Sequence, residues 1–108
     1  MSYVIVFRSR LRPGIDAEYG ARADEIFGYA EKMPGFMSAK DFVAEDGERL
    51  AVIEFDTAEH LAAWRDHGEH AKAQAEGRAK FYTSYQIQIC KVERGARFDA
   101  ATGEWKRS

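Results

Sequence analysis

Cysteine is scarce in this sequence, and long hydrophobic runs are absent. Cys90 is the only cysteine among 108 residues, so no intramolecular disulfide can form, and a reducing cytoplasm is the expected location. The N-terminus lacks the apolar stretch of a signal peptide or a spanning helix, so neither is expected. The 16 basic and 18 acidic residues are mixed along the chain, which indicates no binding surface for nucleic acid or a membrane.

Hydrophobic periodicity predicts one domain with the element order β-α-β-β-α-β. Asp16 is the expected N-terminal cap of the first helix, and Asp46-Gly47 favours a type I′ turn between the second and third strands. This order is typical of a ferredoxin-like α+β fold, with two helices on one face of a four-stranded antiparallel sheet. The predicted elements are strands over 3–10, 36–45, 49–56 and 82–93, and helices over 15–33 and 57–77, the second with a break near Gly68.

The strands are apolar on both faces, which predicts a homodimer. Val4 and Val6 alternate with the apolar residues of the other face of the first strand, and Leu50 and Val52 do the same in the third. Because two helices cover only one face, a second identical sheet is expected over the other. Cys90 is expected to be an inert core thiol in the last strand. The fold is assigned to 1–98, and the tail 99–108 is expected to lie against the partner subunit.

Three motifs stand at the junctions between the predicted elements and in the second helix. They are Met33-Pro34-Gly35-Phe36, Ala63-Trp64-Arg65 followed by His67-Gly68-Glu69-His70, and Phe81-Tyr82. These motifs resemble those of the antibiotic biosynthesis monooxygenase family, and the Trp-Arg-x-His-x-x-His segment is the most specific of them. The resemblance covers about 3–98 and implies a dimeric α+β barrel with a pocket between sheet and helices in each subunit.

The second helix carries the candidate catalytic residues. His67 or His70 titrates near neutral pH and is the candidate general base; their alternative interpretation is surface polar residues. Their three-residue spacing also suits metal ligands, but two ligands make half a site, so no metal is expected. Trp64, Tyr82 and Phe27 are the candidate substrate-binding residues, with Trp64 stacking on a flat ligand. The alternative for these aromatics is a plain core role.

The resemblance leads to a cofactor-independent monooxygenase that acts on a small flat phenolic, anthrone or quinol-like compound. No cofactor is expected, because such a substrate, once deprotonated, reduces O₂ directly and no nucleotide-binding glycine pattern is present. The alternatives are a non-catalytic small-molecule-binding dimer and a haem-binding or haem-degrading protein. Haem-degrading relatives use an asparagine, whereas this sequence contains none and carries Phe7 at that position. Their axial histidine would fall near Ala73 or Gln74, which disfavours haem degradation.

Overall fold

Four antiparallel strands with helices on one face form the main body of the computed structural model, which describes residues 2–107. The sheet has the strand order β2-β3-β1-β4, as expected for the predicted ferredoxin-like α+β fold. The elements are β1 (Tyr3–Leu11), α1 (Asp16–Glu31), β2 (Phe36–Val43), β3 (Arg49–Phe55), α2 (Ala58–Arg65), α3 (Gly68–Glu76), a π-helical turn (Gly77–Phe81), β4 (Tyr82–Lys91), β5 (Ala96–Asp99) and β6 (Glu104–Arg107).

The core lies between the sheet and the helices. Ile5 of β1 pairs with Ile53 of β3, and both side chains are buried on the helix side. Phe55, two residues after Ile53, is on the same face and is completely buried. Leu61 and Trp64 of α2 are three residues apart, so they share one helix face, and both pack into this cluster.

Two local predictions about chain reversals are wrong in detail. Asp16 does not cap α1, because its backbone is already helical and Ile15 occupies the cap position without a side-chain bond. The β2–β3 hairpin is present, but its turn is not type I′, since Gly47 has a φ of 90° whereas Asp46 has no positive φ. The Ala44 N–H donates to the Glu48 carbonyl at 2.8 Å, which leaves a three-residue loop that needs only one left-handed residue.

The predicted break in the second helix is confirmed, and each half has its own cap. Thr57 Oγ1 accepts a hydrogen bond from the His60 N–H at 3.1 Å and begins α2. His67 Nδ1 accepts one from the Glu69 N–H at 3.1 Å and begins α3. The chain then widens into the π-helical turn before it enters β4.

The outer face of the sheet is not covered by any helix of the same chain. Val4, Val6 and Val52 lie on it and are partly exposed, and Phe42 is exposed. Cys90 pairs with Val4 across the strands, faces the same side and is exposed. The expectation of a buried core thiol is therefore wrong for the single chain, because β4 is an edge strand whose outer face meets only solvent.

The C-terminal residues form a two-stranded hairpin, β5–β6, and not an irregular tail. The predicted domain boundary after Phe98 falls inside β5. Phe98 pairs with Trp105 across the hairpin, and the two residues remain 62% and 56% exposed. An isolated two-stranded hairpin is marginally stable in water, and this one displays two large apolar side chains.

Candidate functional site

A cavity of about 330 Å³ lies between the sheet and the helices α1 and α3. That volume falls at the lower end of the range for small-molecule sites. Its walls are mainly aliphatic and aromatic, with a few polar groups supplied by both the sheet and the helices. The lining residues include Ile5, Phe7, Tyr19, Arg22, Ile26, Phe27, Trp64, Arg65, His70, Ala73, Gln74, Phe81, Tyr82, Tyr85, Ile87 and Ile89.

His70 brings the one imidazole into this cavity. It lies on the first turn of α3, and its ring stacks on Trp64 with centroids 4.5 Å apart and planes at 19°. Its Nδ1 atom is buried and has no hydrogen-bond partner within residues 2–107. Burial lowers the pKa of His70 from its ordinary value of 6.5, an effect that the backbone of Arg65 and Trp64 opposes. The ring is therefore neutral at pH 7, and neutral imidazole accepts a proton.

His67 is placed differently, although it is only three residues away. It does not line the cavity, and its Nδ1 is already used as the cap of α3. Its ring packs between Trp64 and Tyr29, with centroid distances of 5.8 and 6.0 Å. The turn between α2 and α3 thus separates the two histidines into a capping group and a cavity group.

Trp64 is a buried residue that contributes little open surface to the cavity. It is 3% exposed, and His70 covers one face of its indole ring. Trp64 is nevertheless one of the residues that line the cavity, and the stacking of a flat ligand on its ring stays a prediction. Phe27, the other predicted apolar wall residue, lines the cavity from α1.

Tyr82 belongs to a cluster of aromatic rings in the cavity wall. Its ring lies 5.5 Å from that of Phe7 and 5.7 Å from that of Tyr19, both in edge-to-face geometry. The Tyr82 hydroxyl donates to the Tyr19 hydroxyl at 3.4 Å. Burial raises the pKa of Tyr82 well above its ordinary value, so its hydroxyl stays protonated.

Cavity residues that the sequence did not single out include Tyr19 and Arg22 of α1 and Gln74 of α3. Tyr19 is one of the apolar or aromatic positions at helical spacing that predicted the first helix, and its hydroxyl made it the recognisable polar member of that set. Arg22 had no such signal. It joins α1 to α3 by an ion pair with Glu76 at 3.1 Å, and within α1 it pairs with Glu25 at 2.7 Å.

One side of the cavity is bordered by the edge strand β4. Ile87 and Ile89 line it and are still 39% and 50% exposed, so apolar surface is open to solvent there. Within residues 2–107, no three His, Cys, Asp or Glu side chains converge in a way that could bind a metal ion. No helix in that part of the chain is long and apolar enough to cross a membrane.

Comparisons with known proteins agree with this fold. A family model described as antibiotic biosynthesis monooxygenase matches residues 2–76. The uncharacterized protein YqjZ of Bacillus subtilis is 30% identical over 102 residues, which is 94% of this chain and 89% of YqjZ. The structure of Rv0793 from Mycobacterium tuberculosis matches with a TM-score of 0.76 at 14% identity, over 85% of this chain and 95% of that one. SnoaB from Streptomyces nogalater, described as a cofactor-independent oxygenase, matches with a TM-score of 0.74 at 12% identity, over 85% and 93% of the two chains.

Proposed function

Since the chain belongs to the antibiotic biosynthesis monooxygenase family, we propose that it is a cofactor-independent monooxygenase that oxidises a small flat phenolic, anthrone or quinol-like compound. The observation that carries this proposal is His70, an imidazole with a lowered pKa that lines an apolar cavity and stacks on Trp64. The similarity of the fold to that of SnoaB, a cofactor-independent oxygenase, supports the class of reaction.

His70 is the proposed general base. For an anthrone, it removes one proton from the ring carbon opposite the carbonyl, and the resulting delocalised carbanion reduces O₂. A new C–O bond forms at that carbon. The O–O bond then breaks as the second hydrogen leaves, so the carbon becomes a carbonyl and the other oxygen atom departs as water. The substrate supplies all the electrons and O₂ is the oxidant.

In this proposal the other candidate residues position the base or bind the substrate. Trp64 is proposed to hold the His70 ring in place by stacking on it. Phe27 and Tyr82 are proposed to bind the flat faces and edges of the substrate. A substrate that fills the cavity is proposed to displace water from its apolar walls, which strengthens the interactions of the base with the substrate.

Oxygen uptake with anthrone tests the proposal. His70→Gln is expected to lower turnover by about 10²- to 10⁴-fold, the usual contribution of a general base. His67→Gln is the matched control, because this histidine lies outside the cavity lining, and circular dichroism verifies that α3 remains folded. The double variant is expected to behave like His70→Gln. Equal oxidation by all four proteins would reject His70 as the base. No oxidation above the uncatalysed rate in any of them would reject the monooxygenase and favour a non-catalytic module that binds small molecules.

We also propose that the working form is a homodimer joined through the outer face of the sheet. Val4, Val6 and Val52 form an apolar strip there that no element of the same chain covers. The β5–β6 hairpin is proposed to pack on the partner subunit, because Phe98 and Trp105 are otherwise left in solvent. A closed twofold dimer covers both surfaces at once.

A further inference from the structure

The cavity has a second polar group besides His70, formed by the hydroxyls of Tyr19 and Tyr82. The two residues come from different layers, the first turn of α1 and the start of β4. Both line the cavity, and their oxygen atoms are 3.4 Å apart. That distance is long for a bond between hydroxyls, which favours about 2.7–2.8 Å, so the pair is loosely held.

One hydroxyl of this pair has a hydrogen-bond donor without an acceptor in the described part of the chain. Each tyrosine hydroxyl has one hydrogen to donate and lone pairs to accept with. Tyr82 donates its hydrogen to Tyr19, and Tyr19 has no acceptor for its own among residues 2–107. Arg49 lies over the Tyr19 ring, with its guanidinium carbon 5.3 Å from the centroid, and adds positive charge near this end of the cavity. An oxygen atom that carries partial negative charge is the complementary ligand group.

Gly77 sets the position of Tyr82. A Cβ atom at Gly77 would lie 2.4 Å from Cε2 of the Tyr82 ring, so the ring packs directly against the glycine backbone. Gly77 follows His70 by seven residues on one continuous run of helix, and at 1.5 Å per residue this is about 10 Å along the axis. His70 and the glycine against which Tyr82 packs therefore stand at separate points of this helical run, and both His70 and Tyr82 line the cavity.

We propose that Tyr19 and Tyr82 form a subsite that binds a carbonyl or phenolic oxygen of the ligand, with Gly77 as the residue that makes room for it. The ligand class rests on the proposed function. A flat ring system with its oxygen para to the carbon or hydroxyl that faces His70 would present one end to each of the two groups. The subsite thus selects para-oxygenated rings over hydrocarbons of the same shape.

Binding without turnover tests this subsite. Anthrone and 9,10-dihydroanthracene are nearly the same in shape, but only anthrone has the oxygen. Their dissociation constants are measured under anaerobic conditions, so the result does not depend on oxidation. The native protein is expected to prefer anthrone by about 3- to 10-fold, the worth of one neutral hydrogen bond. Tyr19→Phe together with Tyr82→Phe is expected to abolish the preference, whereas Tyr29→Phe, on the same helix but outside the cavity lining, should keep it.

Two glycine variants test the packing on which the subsite depends. Gly77→Ala forces the Tyr82 ring to move and is expected to remove the preference, whereas Gly68→Ala, where a Cβ meets nothing within 4 Å, should keep it. Equal affinity of the native protein for the two probes, no anthrone binding at all, or a preference that survives in the double phenylalanine variant would overturn the subsite. A preference without oxygen uptake would support the subsite and reject the monooxygenase.

Discussion

Truncation of Trp64 to alanine should affect both the stability of the fold and the protonation of His70. The indole ring is buried in the core cluster and stacks on the imidazole at 4.5 Å. Removal of a buried tryptophan side chain costs about 3–5 kcal/mol, because apolar surface is lost and a void remains. That is a large share of the roughly 5–15 kcal/mol that separates folded from unfolded states in domains of this kind.

Urea unfolding followed by circular dichroism measures the first effect. With a denaturant slope of about 2 kcal/mol/M, a loss of about 4 kcal/mol lowers the midpoint by roughly 2 M. Trp64→Phe keeps an aromatic ring in place and should lower the midpoint much less. Met37→Ala is the control for a truncated apolar side chain, since Met37 is 54% exposed and should change stability by no more than about 0.5 kcal/mol.

Proton titration of the His70 ring by NMR measures the second effect. Burial is the main reason why the pKa of His70 lies below 6.5. Without the indole ring, water reaches the imidazole and stabilises its charged form, so the pKa should rise toward that ordinary value. Trp64→Phe should leave it lowered. A midpoint shift in Trp64→Ala as small as that of Met37→Ala, or an unchanged pKa in a folded variant, would refute the assigned role of this stacked pair.

Four further predictions concern the outer face of the sheet, the buried histidine and haem. Sedimentation should show that the wild-type protein is a dimer at micromolar concentration. Val4→Asp combined with Val52→Asp should give a folded monomer, because the new carboxylates would be buried against the partner. A monomeric wild type would contradict the dimer. Cys90, exposed in the single chain, should react with a thiol reagent more slowly as protein concentration rises, whereas a constant rate would mean that its face stays open. Because the folded state resists protonation of His70, the free energy of unfolding should fall as the pH drops below 6.5 and level off below the folded-state pKa, and His70→Gln should lack this component. Haemin should bind weakly in a titration followed by visible absorption, because Ala73 stands near the position where haem-degrading relatives are expected to carry their axial histidine. A tight stoichiometric complex would contradict the expectation that this chain is not a haem protein.

The elements of the fold were predictable from the sequence because the rules that govern them are local. The three- and four-residue recurrence of apolar positions marked α1, and the β-prone runs around Asp46-Gly47 marked the β2–β3 hairpin. The motif around Trp64 also indicated the family that the comparisons then showed. The errors in the cap at Asp16 and in the turn type concern single backbone angles, which several sequences satisfy equally well.

The candidate site depended on tertiary structure. Sequence spacing treated His67 and His70 as equivalent, but His67 caps the start of α3 whereas His70, on the first turn of that helix, lines the cavity. Tyr19 and Tyr82 are 63 residues apart, and no local pattern indicates that their hydroxyls meet. Cys90 likewise had an apolar strand environment in sequence but lies on an uncovered edge.

The sequence by itself therefore determined which segments become strands and helices and which of their faces are apolar, because periodicity and backbone sterics act within a few residues. Only the tertiary structure decided where the cavity lies, which histidine faces it and which tyrosines meet across it. These properties depend on how side chains from distant segments pack against one another, and burial changes both the pKa of a group and the hydrogen bonds open to it.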